Sequence, residues 1–322
     1  MTHVVHWLHP ACSLSVQFLP IHPGDKTVMN PGLYANAIIS GILTGGVYAL
    51  MAAGLTLVFG VMDIINIAQG AFVVLGAYLS FWLQQHFGLD PFIGLIITIP
   101  MMFLLGLVLE IAFIRPLKRD RTQLSILVTF AIAVIIEGIL NIVFTTNPRS
   151  INTWYTNSSL VIGNIYLPYI YLLAFGLSVV LLAGLYFLLY RTKFGRSLRA
   201  TTQNRSAALL IGIDVERVSA ITFAIGIGLA AAGGMAFGAT TPGFNANSSY
   251  DLISRLLVII ILGGMGSVNG ALIASVSMLG IEAVTDVALG PVWSSTVFYI
   301  LLVVLLLFRP QGLFGKIASR RN

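Results

Sequence analysis

Cysteine and charge are both scarce in this chain. Its 322 residues include one cysteine, Cys12, which excludes an internal disulfide framework and a cysteine-rich metal site. Only 9% of the residues are charged, whereas soluble domains carry about 25%. Hydrophobic residues make up 57% of the chain. This composition leaves no room for a soluble domain of ordinary size and indicates an integral membrane protein.

The motifs that most enzymes need are missing too. The Walker A pattern G-x-x-x-x-G-K-[ST] does not occur, because Gly315-Lys316-Ile317 lacks both the spacing and the hydroxyl. No nucleophile stands with a matched base, and no cluster of metal-ligating residues occurs. We therefore predict a chain that is not an enzyme and that carries no metal or cofactor of its own.

Long apolar runs are what the sequence has in abundance. They cover residues 33–60, 66–83, 92–113, 124–144, 167–190, 218–238, 252–264 with 271–288, and 292–308. Within lipid only helices and closed barrels satisfy the backbone, and the alternation of barrel strands is absent. The sequence thus predicts an all-α, polytopic bundle of about eight spans.

The basic residues indicate how the bundle is oriented. Of 17 Lys and Arg, four lie in residues 115–121, six in 191–217 and four in 309–321. Basic residues crowded at span ends are typical of cytoplasmic loops and face anionic lipid. The net charge of +6 therefore indicates membrane lipid rather than nucleic acid as the partner. We expect a multi-pass membrane protein with a cytoplasmic C-terminus.

Residues 1–28 differ from the rest. They hold three prolines and four of the five histidines, and they have no clean apolar run and no signal-peptide pattern. We predict a disordered N-terminal extension, with Met29 as an alternative start, followed by a transmembrane domain over residues 29–322.

Two segments interrupt the apolar pattern, and we predict that both flank a translocation path. The first, residues 61–70, contains Asp63, Asn66, Gln69 and Gly70, and the second, residues 263–270, contains Gly263, Gly264, Gly266, Ser267, Asn269 and Gly270. A cytoplasmic tail requires the chain to turn back at the second, which is too rich in glycine for a helix interior. Reading the first as a turn places the N-terminus outside, whereas reading it as one broken span places it inside; the sequence leaves both open.

Polar residues within the spans have two interpretations. Glu137, with Asn141 one turn further on, and Glu282 are either proton or ion sites of a secondary transporter, or groups buried in helix packing. We favour packing, because we find no second carboxylate or basic partner clustered with either glutamate.

The loop of residues 191–217 is the longest basic one. Good helix formers fill residues 196–211, and Gly212 is available as a terminator. Such a helix is either an anchor lying on the membrane or a knob that docks into another protein. Arg196 and Arg199 lie three apart and would share a face, while Leu198, Ala208 and Leu209 would pack elsewhere.

Three patterns resemble those of permease subunits of the branched-chain amino acid ABC importers, the LivH/LivM type. The loop is similar to G-R-x-x-R-A…A…G-I, with Gly195, Arg196, Arg199, Ala200, Asn204, Ala208, Gly212 and Ile213 as its candidate coupling residues. The first interruption is similar to G-x-x-x-x-I-N-x-A-H-G, and the second to L-G-G-x-G-S-x-x-G-A. The likeness covers about residues 29–315. Gln69 replaces the usual His, Ala71 a frequent Glu, and Asn269 a frequent Pro.

The resemblance implies the rest of a transport machine. It implies a second, LivM-like permease subunit with the substrate path along the shared interface, and an extracytoplasmic binding protein that delivers branched-chain or related amino acids. It also implies two cytoplasmic ATPases, which bind ATP and Mg and contact the loop of residues 191–217. Urea, short amides and small aromatic acids are alternative cargoes of the same machine. A proton-coupled secondary transporter using Glu137 or Glu282 is the alternative of another class.

Overall fold

The computed structural model describes residues 31–117, 121–156, 158–162, 165–309 and 311–314. The predicted disorder of residues 1–28 and the alternative start at Met29 lie outside these ranges.

Eleven α-helices and one short hairpin make up the described residues. The helices are α1 Pro31–Met62, α2 Gln69–Phe87, α3 Pro91–Leu109, α4 Arg121–Phe144, α5 Tyr169–Arg191, α6 Lys193–Gln203, α7 Arg205–Leu210, α8 Val215–Thr240, α9 Ser248–Gly263, α10 Val268–Leu289 and α11 Pro291–Phe308. A π-helical turn, Glu110–Ile114, extends α3. Strands β1 Ser159–Ile162 and β2 Ile165–Pro168 pair antiparallel. The predicted all-α architecture is confirmed, and the helices follow the predicted apolar runs.

Seven of the described helices are long and apolar enough to cross a membrane: α1, α3 with its π turn, α4, α5, α8, α10 and α11. Two further apolar helices, α2 and α9, are not among them. The expected count of about eight included residues 66–83, which lie mostly in α2, as one segment, and residues 252–264 with 271–288, which lie mostly in α9 and α10, together as one segment that turns back.

Helices α1 and α8 form the centre of the bundle, where most of their residues are buried. In helices α3, α4, α5, α10 and α11, by contrast, only a minority of the residues is buried. Their outward side chains are large and apolar, as at Ile96, Ile142 and Leu307. A surface of this kind suits contact with lipid tails, because it has no polar group to dehydrate.

Basic residues gather at one end of the bundle, which we call the basic end. Arg115 after α3 forms an ion pair with Glu216 of α8, so the end of one helix meets the start of the other. The Thr122 hydroxyl of α4 donates to the Asp63 carbonyl just after α1 (3.2 Å). Helices α1, α3, α4 and α8 therefore all have a terminus at this end.

The opposite end is closed by the segment between α4 and α5. Arg149 and Phe244 exchange backbone hydrogen bonds of 2.9 and 2.8 Å. The Tyr155 hydroxyl donates to Asp90, which caps α3 (2.8 Å). Burial raises the pKa of Tyr155 to about 12, so this phenol keeps its proton at physiological pH.

Candidate functional site

The first predicted interruption is real, and it runs into the bundle rather than across its surface. Helix α1 ends at Met62, and Asp63 follows with a φ of +53°. The chain then passes along α4, from Thr122 to Thr129, whose hydroxyl accepts from the Ile67 N–H (3.2 Å). The helical rise of α4 from Thr122 to Thr129 is about 10 Å. The non-helical segment that runs beside these residues therefore descends about 10 Å into the protein.

Helix α2 therefore begins inside the bundle. The Gln69 amide donates to the carbonyl of Gly226 (3.3 Å), and Gly226 lies about 16 Å along α8 from its start. The Asn66 amide donates to Gln69 (3.2 Å), and both side chains are fully buried. The interruption is thus held by amide groups packed between helices. The predicted path residues Asn66 and Gln69 do not line an open surface of this chain, whereas Asp63 is exposed at the basic end.

Helices α1 and α8 cross at a reciprocal pair of glycines. A methyl group at Gly54 would lie 2.6 Å from the Gly226 carbonyl oxygen, and one at Gly226 would lie 3.0 Å from the Gly54 carbonyl oxygen. Small residues are required where two helix backbones approach this closely. The crossing fixes the depth at which α2 starts.

A second descending segment, residues 241–247, was missed by the sequence analysis. It leaves α8 at Thr240, pairs with Arg149 through Phe244, and leads into α9 at Ser248. A methyl at Gly70 would overlap the carbonyl oxygen of Ser249, so α2 and α9 meet at their first turns. Helix α9, like α2, therefore begins within the bundle. Pro242-Gly243 and the two nearby asparagines are the turn signals that could have revealed this segment.

The predicted turn at residues 263–270 is confirmed as a tight connection between α9 and α10. Gly264 and Gly266 have φ values of +92° and +84°, and the Ser267 hydroxyl caps α10 by accepting from the Gly270 N–H (3.1 Å). At Gly263 and Gly270 the two backbones touch, whereas Asn269 is exposed. These residues form a packed turn.

This turn lies beside the first interruption, at the basic end. A methyl at Gly60 would lie 3.5 Å from the Cα of Gly266. The Leu313 N–H donates to the Leu262 carbonyl (2.7 Å), so the segment after α11 covers the end of α9. The two predicted interruptions are therefore neighbours.

On the transport role that the resemblance implies, we expect Gly264→Leu and Gly266→Leu to insert into the membrane but to lose most uptake, because a leucine is strained at these positive φ values. Gly280→Leu on α10 is the control, since no described atom lies within 4 Å of a methyl built there. Substrate uptake per assembled complex is the measurement. Parent-level uptake by both turn variants would show that the turn tolerates ordinary side chains.

Glu282 has a basic partner, contrary to our expectation. Its carboxylate accepts from Arg255 of α9 (2.6 Å), and Arg255 also pairs with Asp251 (3.1 Å). The side chains of Arg255 and Glu282 are only 19% and 12% exposed. The sequence shows Arg255 as the one basic residue in the run 252–264. Its contact with Glu282 could not be predicted, because only the packing of α9 against α10 brings the two side chains together. This ion pair supports the packing interpretation of Glu282.

Glu137 has no basic partner among the described residues. Its carboxylate faces the hydroxyl of Tyr250, which extends from the first turn of α9. One Glu137 oxygen, Oε2, and the side-chain oxygen of Asn141 are buried without a hydrogen-bond partner in the described structure. One oxygen of Glu137 is therefore unpaired within the described structure.

The loop of residues 191–217 forms two short helices instead of the predicted single one. Asn204 divides them and caps α7 by accepting from the Ala207 N–H (3.0 Å). Gly212 ends the second helix with a φ of +80°, as predicted. A methyl at Gly195 would overlap the backbone of α5, so α6 folds tightly against the preceding helix.

Arg196 and Arg199 do not share a free face. Arg199 donates to the Leu189 carbonyl, and its guanidinium lies 5.1 Å from the centre of the Tyr190 ring. Arg199 thus fastens α6 to α5, whereas Arg196 is exposed. Because α6 folds back onto the end of α5, Arg196 and Arg199 differ in their surroundings, and a contact of either with a partner stays a prediction.

Three large apolar side chains at the end of α7 face solvent. Leu209, Leu210 and Ile211 are 56%, 89% and 73% exposed, and we call them the apolar tip. Leu198 and Ala208 are buried as predicted, but Leu209 was expected to pack and does not. Three adjacent exposed apolar residues beside a basic loop indicate an interaction surface.

The described residues contain no group of three or more His, Cys, Asp or Glu side chains arranged to hold a metal ion. The features that the structure brings together are two descending segments, a buried ion pair and the apolar tip.

Comparison with known proteins identifies a family. The model of the family described as the permease component of the branched-chain amino acid transport system matches residues 37–306. The chain is 26% identical over 306 residues to the high-affinity branched-chain amino acid permease BraD of Pseudomonas aeruginosa, covering 88% of this chain and 96% of BraD. No solved structure matches.

Two further relatives broaden the comparison. The permease LivH of Escherichia coli is 26% identical over 304 residues, with 88% of this chain and 96% of LivH covered. The permease LivM of the same organism is 27% identical over 301 residues, which is 83% of this chain and 67% of LivM.

Proposed function

This chain belongs to the family of branched-chain amino acid transport permeases, and from that premise we propose that it is the LivH-like membrane subunit of an ATP-driven importer. Its cargo in this proposal is a branched-chain or related amino acid. The observation that carries the proposal is the likeness to LivH-type permeases, which extends over 88% of the chain. Seven candidate membrane spans in the described residues are in keeping with it.

We propose that the basic end faces the cytoplasm of a bacterium and that the chain lies in the inner membrane. Arg115, Arg191, Arg217 and Arg309 all lie at helix ends on that side. Basic residues that flank spans are retained in the cytoplasm. The C-terminus is then cytoplasmic.

We further propose that the apolar tip docks into a cytoplasmic ATPase subunit, two of which would bind ATP and Mg. Covering exposed apolar side chains with a partner removes apolar surface from water and so stabilises the complex. The rival role is an anchor in the lipid surface. The chain itself needs no cofactor in this proposal.

The remaining partners follow from the same premise. Because both LivH and LivM resemble this chain, we propose that a LivM-like subunit pairs with it across the membrane. At the opposite end Trp154, Val161 and Tyr166 expose large side chains. We propose that a substrate-binding protein docks on that end.

A proton-coupled transporter remains the candidate of another class. The ion pair with Arg255 gives Glu282 a structural role between α9 and α10, which reduces the case for Glu282 as a proton carrier. Of the two glutamates considered, Glu137 is the one without a cationic partner in the described residues. The proton-driven proposal is therefore weaker than the ATP-driven one.

Uptake by a reconstituted complex tests the cargo. We expect the four membrane and ATPase subunits, supplied with ATP and the loaded binding protein, to accumulate labelled leucine. Unlabelled isoleucine and valine should compete, while urea and benzoate should not. Accumulation of urea or benzoate instead of leucine would show that the machine carries another cargo.

A further inference from the structure

One side of α9 is polar and exposed, although the helix begins inside the bundle. Asn247, Tyr250, Asp251 and Ser254 are all exposed and recur at intervals of three and four residues, which places them on one helix face. We call them the α9 polar face. The other side of α9 is buried and apolar, with Leu252, Ile253 and Leu256 among its residues.

The α9 polar face is unsuited to contact with lipid tails. The first turn of α9 meets the first turn of α2 beside Gly70, and α2 starts about 16 Å from the basic end of α8. The Asp251 side chain is 64% exposed at that depth. A charged group in the hydrocarbon centre costs at least about 2.5 kcal/mol, so such groups face water or a polar partner. The nearby outward residues of α4, Ile139 and Ile142, show what a lipid-facing surface of this chain contains.

Negative charge exceeds positive charge around the α9 polar face. Asp251, Glu282 and Glu137 contribute three carboxylates, and Arg255 is the one guanidinium that contacts any of them in the described residues. Arg255 shares itself between Asp251 and Glu282. Glu137 faces the Tyr250 hydroxyl and keeps a buried oxygen without a partner. The surface therefore lacks a cation.

We propose that the α9 polar face, together with Glu137 of α4, lines the aqueous substrate path and receives the ammonium group of the amino acid cargo. This inference rests on the proposed function and assigns its site. Of the residues expected to flank the path, Asn66, Gln69, Gly70, Gly263, Gly264 and Gly270 are buried within the chain, whereas Asp63, Gly266 and Asn269 are exposed. Arg255 acts as a positioning residue that orients Asp251 and balances part of the charge. Contact between the cargo and this face is brief, because transport requires release.

Water access is tested with single cysteines in a Cys12→Ser background. Asn247→Cys and Ser254→Cys are reconstituted with the partner subunits and treated with a membrane-impermeant thiol reagent. Ile142→Cys is the control, since its side chain is 84% exposed on the apolar side of α4. We expect the α9 variants to react at least about tenfold faster than the control, and loaded binding protein with ATP to change that rate. Reaction as slow as that of the control would show that lipid or the second permease subunit covers the face, and would overturn the proposal.

The ammonium role is tested with Asp251→Asn, which keeps the shape of the side chain and removes its charge. We expect leucine uptake to fall at least tenfold while ATP hydrolysis stimulated by the binding protein is retained, because the docking surfaces are untouched. Asp286→Asn, at an exposed carboxylate near the end of α10, should transport like the parent. Unchanged leucine uptake in Asp251→Asn would overturn the ammonium role. If the parent complex moved no leucine, the proposed function would fail, whereas thiol labelling would still decide whether the face lines an aqueous path.

Discussion

Leu210→Asp is expected to uncouple the complex: ATP hydrolysis stimulated by the binding protein should fall at least tenfold, and leucine uptake with it. Leu210 is the most exposed member of the apolar tip, at 89%. A central apolar anchor of a protein interface contributes about 2 kcal/mol or more, which corresponds to about 30-fold in affinity. A carboxylate at this position would have to be dehydrated without a partner.

The matched control is Gln203→Asp, which adds the same charge at an exposed position at the end of α6, before the break at Asn204 and outside the apolar tip. Its stimulated hydrolysis should equal that of the parent. Co-purification of the ATPase with each variant is the second measurement, and we expect it to be lost only with Leu210→Asp. Full ATPase retention by Leu210→Asp would assign the tip to the lipid surface instead.

Gly54→Ala and Gly226→Ala are each expected to destabilise the folded protein strongly. Each methyl group would meet the facing carbonyl oxygen, at 2.6 and 3.0 Å, where α1 and α8 cross. Overpacking of this kind costs about 1–3 kcal/mol, and here it falls at the centre of the bundle. The expected result is a lower midpoint of thermal unfolding in detergent for both variants. The decrease should be larger for Gly54→Ala.

Gly176→Ala on α5 provides the comparison, since no described atom lies within 4 Å of a methyl placed there. It should match or exceed the stability of the parent, because alanine favours helix over glycine by about 1 kcal/mol. Equal midpoints for all three variants would mean that the α1–α8 crossing is looser than the structure indicates.

Local signals in the sequence predicted much of this fold. The apolar runs located the helices to within a few residues, because a lipid environment leaves few alternatives to helix. Gly264 and Gly266 marked the turn between α9 and α10, since their positive φ values suit glycine. Gly212 ended the loop helix for the same reason.

Features that depend on contacts distant along the chain were missed. Arg255 and Glu282 are 27 residues apart, and only the pairing of α9 with α10 brings them together. The inward turn of Arg199 depends on how α6 folds back onto α5. The start of α9 inside the bundle depends on its contact with α2, although Pro242-Gly243 marked the break before it. A single sequence indicates local preferences for helix and turn, whereas these features depend on how the helices pack against one another.

A measurement of the energy source for leucine uptake distinguishes the ATP-driven importer from the proton-coupled transporter. Proteoliposomes that contain this chain, its second permease subunit and the two ATPases are given leucine-loaded binding protein, with either ATP inside or an imposed pH gradient. We predict leucine accumulation with ATP that persists when a protonophore collapses the pH gradient, and no accumulation with the gradient alone. Accumulation driven by the pH gradient without ATP, and abolished by Glu137→Gln, would contradict it.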